Sequence, residues 1–140
     1  GPTGAAGAYR IEDFKTAQGS SVSLGTTFSL IATVTVTTTS ASDVIMVHTN
    51  GYAAQTNNDD ANMEFYVSNS TDGLSSEYIR SGLYGDGGGN VGTGAHLAGT
   101  FVLNATSAGA KTINLYARNF LGAASTTNSV RITALVIAAN

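Results

Sequence analysis

"TFSLIATVTVTTT", Thr27 to Thr39, alternates as a half-buried strand must. Phe28, Leu30, Ala32, Val34 and Val36 fall on one side, and Ser29, Thr33, Thr35 and Thr37 on the other. Successive strand side chains point to opposite faces, so this pattern puts one face on a core and the other in solvent. Its β-branched Thr and Val suit a pleated surface. Ile31 is the only apolar residue out of phase.

The pattern recurs outward from there. "NMEFYVS" sets Met63, Phe65 and Val67 against Glu64, Tyr66 and Ser68. "KTINLYARNF" sets Ile113, Leu115 and Ala117 against Thr112, Asn114, Tyr116 and Arg118. Between such runs lie "AQTNNDDAN", "NSTDGLSS", "GDGGGNVGTG", "SAGAK" and "GAASTTN", all dense in turn-forming residues. No stretch shows capped helical periodicity. Short strands separated by turn signals predict an all-β sandwich or barrel of about nine strands. They are expected near Tyr9–Phe14, Ser21–Leu24, Phe28–Thr37, Val44–Ala53, Asn62–Ser68, Glu77–Leu83, Leu97–Leu103, Thr112–Phe120 and Val130–Ala138.

Two runs differ. "DVIMVHTNGYAA" and "VRITALVIAA" are apolar almost throughout. A strand apolar on both faces must be covered on both. Ile45, Val47, Leu135 and Ile137 are the candidates for the second face. Either a partner subunit or loops of the same chain would cover them.

The 140 residues fit one domain. Charged residues are 11% and hydrophobic residues 42%, which argues against disorder. A net charge of −3 offers no basic surplus to hold a phosphate backbone, so no nucleic-acid partner is expected. The absence of cysteine excludes disulfides, thiolate metal sites and a Cys nucleophile. No apolar run approaches the ~20 residues of a membrane-spanning helix, so no membrane insertion is expected.

"GPTGAAGAY" opens the chain with Gly-X-Y triplets in phase. A collagen triple helix needs Gly at every third position. Residues 1–8 read either as the end of such a stalk or as a tag remnant with a chance match, and residues 9–140 as the head. A threefold assembly would explain both the triplets and the doubly apolar strands.

The downstream segments "FSLIATVTVTTTSASDVIMVHTNGYAA", "MEFYVSNSTDG", "GTFVLNATSAGAKTINLYAR" and "NSVRITALVIAAN" carry a resemblance. Their order is similar to the jelly-roll trimers of the tumour necrosis factor and complement globular-head superfamily, above all those at bacteriophage fibre and spike tips. Ser107, Ala108, Gly109, Thr112 and Leu115 match a "SAG-x-x-T-x-x-L" hairpin, and Arg131, Ile132, Leu135 and Ile137 match the final strand. The resemblance covers roughly residues 27–140. It implies a two-sheet antiparallel jelly roll, a homotrimer with the final strand in mid-sheet near the threefold axis, an N-terminal stalk, and an adhesive role on a virion or cell surface. With 8% aromatic residues and no Trp, the axis would be packed by aliphatic side chains.

Catalytic chemistry is sparse. His48 lies in an apolar strand and reads as a hydrogen-bonded packing residue; His96 lies beside a Gly-rich loop. No Gly-x-Ser-x-Gly elbow is present. Glu64 and Glu77 could in principle form a hydrolytic pair, and solvated strand carboxylates are the plainer reading. "NNDDAN" and "GDGGGN" hold oxygen ligands suited to Ca²⁺, but turns favour the same residues, and no cofactor is expected. For recognition, the loop residues Asn57, Asn58, Asp59, Asp60, Tyr84 and Asp86 are the candidates, Tyr for a sugar ring and the rest for its hydroxyls. The leading expectation is a non-enzymatic trimeric fibre or spike tip that binds a host surface receptor, a glycan by preference. The alternatives are a monomeric carbohydrate-binding module of a secreted enzyme and a stalked bacterial surface or spore-coat protein.

Overall fold

Alternation makes each strand two-faced, and the structure pairs the apolar faces of two sheets. The computed structural model describes residues 9–55, 61–69, 74–75, 78–83, 94–120 and 125–139. Among them are eleven strands: β1 (Tyr9–Gln18), β2 (Ser23–Leu24), β3 (Ser29–Thr38), β4 (Val44–Gln55), β5 (Ala61–Asn69), β6 (Leu74–Ser75), β7 (Ile79–Leu83), β8 (Gly94–His96), β9 (Gly99–Asn104), β10 (Gly109–Asn119) and β11 (Ser125–Ala139). The short β6 and β8 are additions to the sequence expectation.

The six-stranded sheet runs β1-β11-β4-β8, with β2 on β11 and β9 on β4. The five-stranded sheet runs β3-β10-β5-β6, with β7 on β5. Every pairing is antiparallel. The chain passes repeatedly from one sheet to the other, so sequence neighbours such as β3 and β4, or β9 and β10, lie in different sheets. This is a jelly-roll sandwich. The Ser107–Gly109 segment is therefore an inter-sheet connection and not a hairpin, because β10 pairs with β3 and β5. The final strand, β11, does stand in mid-sheet, between β1 and β4.

The core lies between the sheets. Val34, Val36, Met63, Phe65, Val67, Ile113 and Leu115 face it from one side. Ile45, Val47, Phe101, Ile132, Ala134 and Val136 face it from the other. Ile45 and Val47 are fully buried there, which corrects their expected place on an outer face. The strand's alternation puts Val44 and Met46 outward instead.

Ile31 has a physical explanation. The β3–β10 register slips where Leu115 pairs with Ala32 and Tyr116 with Leu30, leaving Ile31 as a bulge residue. Ile31 and Ala32 are both buried, while Leu30 is turned outward and is 49% exposed. Opposite phases of one strand thus serve the core on either side of the bulge.

A second bulge governs the central pair. The β11–β4 register shifts between Asn128 and Arg131, and Ser129 adopts a φ of 53°. Gly51 crosses this point with a φ of 148°. A Cβ there would stand 2.8 Å from Val130 Cα, so both the backbone conformation and the space demand glycine.

At the sheet edge, Asp13 ties β1 to the opposite sheet. Its carboxylate accepts the Lys15 ammonium at 2.7 Å and the Thr37 backbone N–H at 2.8 Å. The Lys15 hydrogen bond first, and the Thr37 N–H second, hold the Asp13 carboxyl below the usual carboxylate range.

Two outcomes follow from these contacts. Gly51→Ala should destabilise the fold by about 1–3 kcal/mol from the backbone conformation alone, read as a lowered thermal midpoint; an unchanged midpoint would show that the bulge relaxes freely. Because the Asp13 pKa is depressed on folding, its contribution is present above the unfolded value of ~3.9 and is lost as pH falls through the folded value. Asp13→Asn should therefore flatten the stability–pH curve below about pH 4, and an unaltered slope would contradict the assignment.

Candidate functional site

With the core filled by inner faces, function must lie on the outer faces or loops. The outer face of the six-stranded sheet is built in rows. Across β1, β11, β4 and β9, one row reads Phe14, Leu135, Met46, Val102. The next reads Ile11, Ile137, Val44, Asn104. Directly opposed side chains on neighbouring strands lie within reach of one another, so these two rows form one continuous apolar patch. Ile11 is 61% exposed, Phe14 55% and Val102 58%. Leu135, Ile137, Val44 and Met46 are half-buried. Contiguous exposed apolar side chains of this kind mark surfaces that meet another protein. Of the four expected interface residues, Leu135 and Ile137 belong to it, and Ile45 and Val47 do not.

A polar row closes the patch on one side. Thr16 and Thr133 share a hydrogen bond at 3.2 Å, and His48 Nδ1 meets Thr100 Oγ1 at 2.9 Å. His48 is thus hydrogen-bonded but exposed on the outer face. His96, on β8, is exposed as well.

The outer face of the five-stranded sheet has a different chemistry. Tyr66 of β5 and Tyr116 of β10 stack across the strand gap, with centroids 5.3 Å apart. Phe28 meets Tyr66 edge-on at 4.9 Å and stacks on Tyr78 at 5.2 Å. Tyr66 and Tyr78 close the cluster at 5.1 Å. Burial, then the neighbouring Tyr78 and Tyr116, push the Tyr66 phenol up, so it stays a protonated donor at neutral pH. The Arg118 guanidinium lies 4.5 Å over the Phe28 ring, and Arg80 lies 5.3 Å from the Phe120 ring.

Glu64 sits beneath these arginines. It accepts from Arg80 and from Arg118, each at 3.2 Å, and is almost wholly buried. A carboxylate held by two guanidiniums is not poised as a hydrolytic acid or base. Glu77 lies outside the described residues, as do Asn57, Asn58, Asp59, Asp60, Tyr84 and Asp86 and most of both oxygen-rich loops. Among the described residues no group of three His, Asp or Glu side chains could hold a metal ion.

The aromatic cluster is the part that pattern reading passed over. Its signal was present: Tyr66 and Tyr116 both fall on the polar side of their strands. Alternation gives each tyrosine its face, and only the β5–β10 register sets them opposite each other.

No protein-family model matches the chain, and no curated protein sequence matches it. Its fold is similar to a chain in the structure of the infectious bursal disease virus Gx strain, with a TM-score of 0.53 and 10% identity over 91% of this chain and 32% of that one. A chain in the structure of the Gt strain of the same virus is also similar, with a TM-score of 0.50 and 13% identity over 91% of this chain and 37% of that one. The chain spans about a third of the length of these viral chains. At such identities the likeness is one of fold.

Proposed function

We propose that this chain is a non-enzymatic, homotrimeric jelly-roll head that tips a fibre or spike on a virion surface, joins three stalk chains, and binds a host surface receptor. The observation that carries the reading is the apolar outer face of the six-stranded sheet. Phe14, Leu135, Met46 and Val102 form a row that one protomer leaves in water. Covering Ile11, Phe14 and Val102, each more than half exposed, is worth on the order of 1 kcal/mol per side chain. Three copies around an axis cover these faces with one symmetry operation. The superfamily resemblance, with its central final strand, supports the same assembly, and the fold shared with viral chains supports the virion setting.

In this reading the two sheets divide the work. The six-stranded sheet supplies self-association, and the opposite sheet and the loops remain available for recognition. Multivalency then raises the avidity of weak single-site contacts. A monomeric carbohydrate-binding module would share the fold but would leave the patch uncovered.

Paired substitutions test the interface. Leu135→Asp should leave the far-ultraviolet circular dichroism of a β-protein intact and lower the light-scattering mass from three times 14.2 kDa to one. Val47→Asp, which places a charge in the core, should unfold the chain. A Leu135→Asp protein that remains a trimer would refute this interface.

A further inference from the structure

We infer that the aromatic shelf on the five-stranded sheet is a binding site for a carboxylate-bearing sugar, with Tyr78 as its stacking ring and Arg80 as its carboxylate clamp. The inference rests on the recognition half of the proposed function and names the ligand class. It does not depend on the trimer face.

Tyr78 and Arg80 flank Ile79 on an outer strand of the sheet. Ile79 packs against the core, so alternation sends Tyr78 and Arg80 together to the outer face. Both are open, with Tyr78 55% exposed and the Arg80 side chain 65% exposed. The Tyr78 ring is backed on one side by Phe28 and braced by Tyr66. Such a ring is held in place before any ligand arrives, which lowers the ordering cost of binding. The negative face of an aromatic ring attracts the weakly positive C–H face of a pyranose. The tyrosines at Tyr66 and Tyr116 add phenol groups that both donate and accept, as sugar hydroxyls require.

Charge selects among sugars. Among the described residues, two guanidiniums stand around one carboxylate, Glu64, which leaves one positive charge in excess at this point of a chain of net charge −3. Arg80 gives Glu64 one terminal nitrogen, and a guanidinium has five N–H donors. The remaining donors suit a second carboxylate, the group that arginine binds best through paired hydrogen bonds. A neutral glycan would use the ring but leave this charge unanswered.

The test uses the whole chain and monovalent probes, so that avidity does not enter. Binding of galacturonic acid and of its methyl ester is measured by calorimetry, alongside sialyllactose and lactose. At least one acidic probe should bind tenfold or more tightly than its neutral counterpart. Tyr78→Ala and Arg80→Gln should each weaken that binding at least tenfold, with the oligomeric mass and circular dichroism unchanged. Arg80→Lys should recover less than the wild-type affinity, because a point charge cannot replace the planar fork. Equal binding of acid and neutral partner, no binding of either acidic probe, or binding untouched by both variants would overturn the inference. A Leu135→Asp monomer that still binds the acidic probe would separate this site from the trimer interface.

Discussion

A β-sheet has two faces, and a sandwich can cover only one of each. That constraint governs this molecule. The inner faces are satisfied within the chain: Ile45, Val47, Ile132 and Val136 meet Phe65, Val67, Ile113 and Leu115 with no residual exposure. What the outer faces hold is then free to differ. The six-stranded sheet carries apolar side chains there, whose burial is non-directional and suits close packing against another protein surface. The five-stranded sheet carries tyrosines, arginines and threonines, which keep polar handles and suit a hydrated, hydrogen-bonding partner.

The bulges make this division possible. At Ile31 the slip in register lets Ile31 and Ala32 both enter the core and turns Leu30 out beside Tyr116. At β1 the slip between Ile11 and Asp13 keeps Ile11 and Phe14 on one outer face, while Asp13 reaches the backbone of β3. The same edge carries the Arg10–Glu12 and Lys15–Asp13 ion pairs. Charges and a bulge on an edge strand discourage open-ended strand addition.

Much of this was legible in the sequence. Period-two alternation identified the core side of β5, of β10 and of β3 from Ala32 onward, and Met63, Phe65, Val67, Ile113 and Leu115 are all fully buried. Before the Ile31 bulge it failed, since Phe28 and Leu30 lie on the outer face. Alternation failed where it is uninformative. In Asp43–Ala54 and Val130–Ala139 both phases are apolar, so the pattern cannot say which phase faces in. Leu135 and Ile137 were placed outward correctly, whereas Ile45 and Val47 were assigned the wrong phase of their strand. The neighbouring polar residues held a partial clue: His48 and Asn50 share a phase with Val44 and Met46 and mark it as the outer one. The aromatic shelf was illegible for a different reason. Phe28, Tyr66, Tyr78, Tyr116 and Arg118 come from four separate segments, and only strand register assembles them.

The proposed trimer requires the row from Phe14 to Val102 to meet other copies of the chain. Sedimentation equilibrium of the unmodified protein at micromolar concentration measures this directly. The expected result is a single species at three times the 14.2 kDa chain mass. A stable species at the single-chain mass, with no shift on concentration, would contradict it.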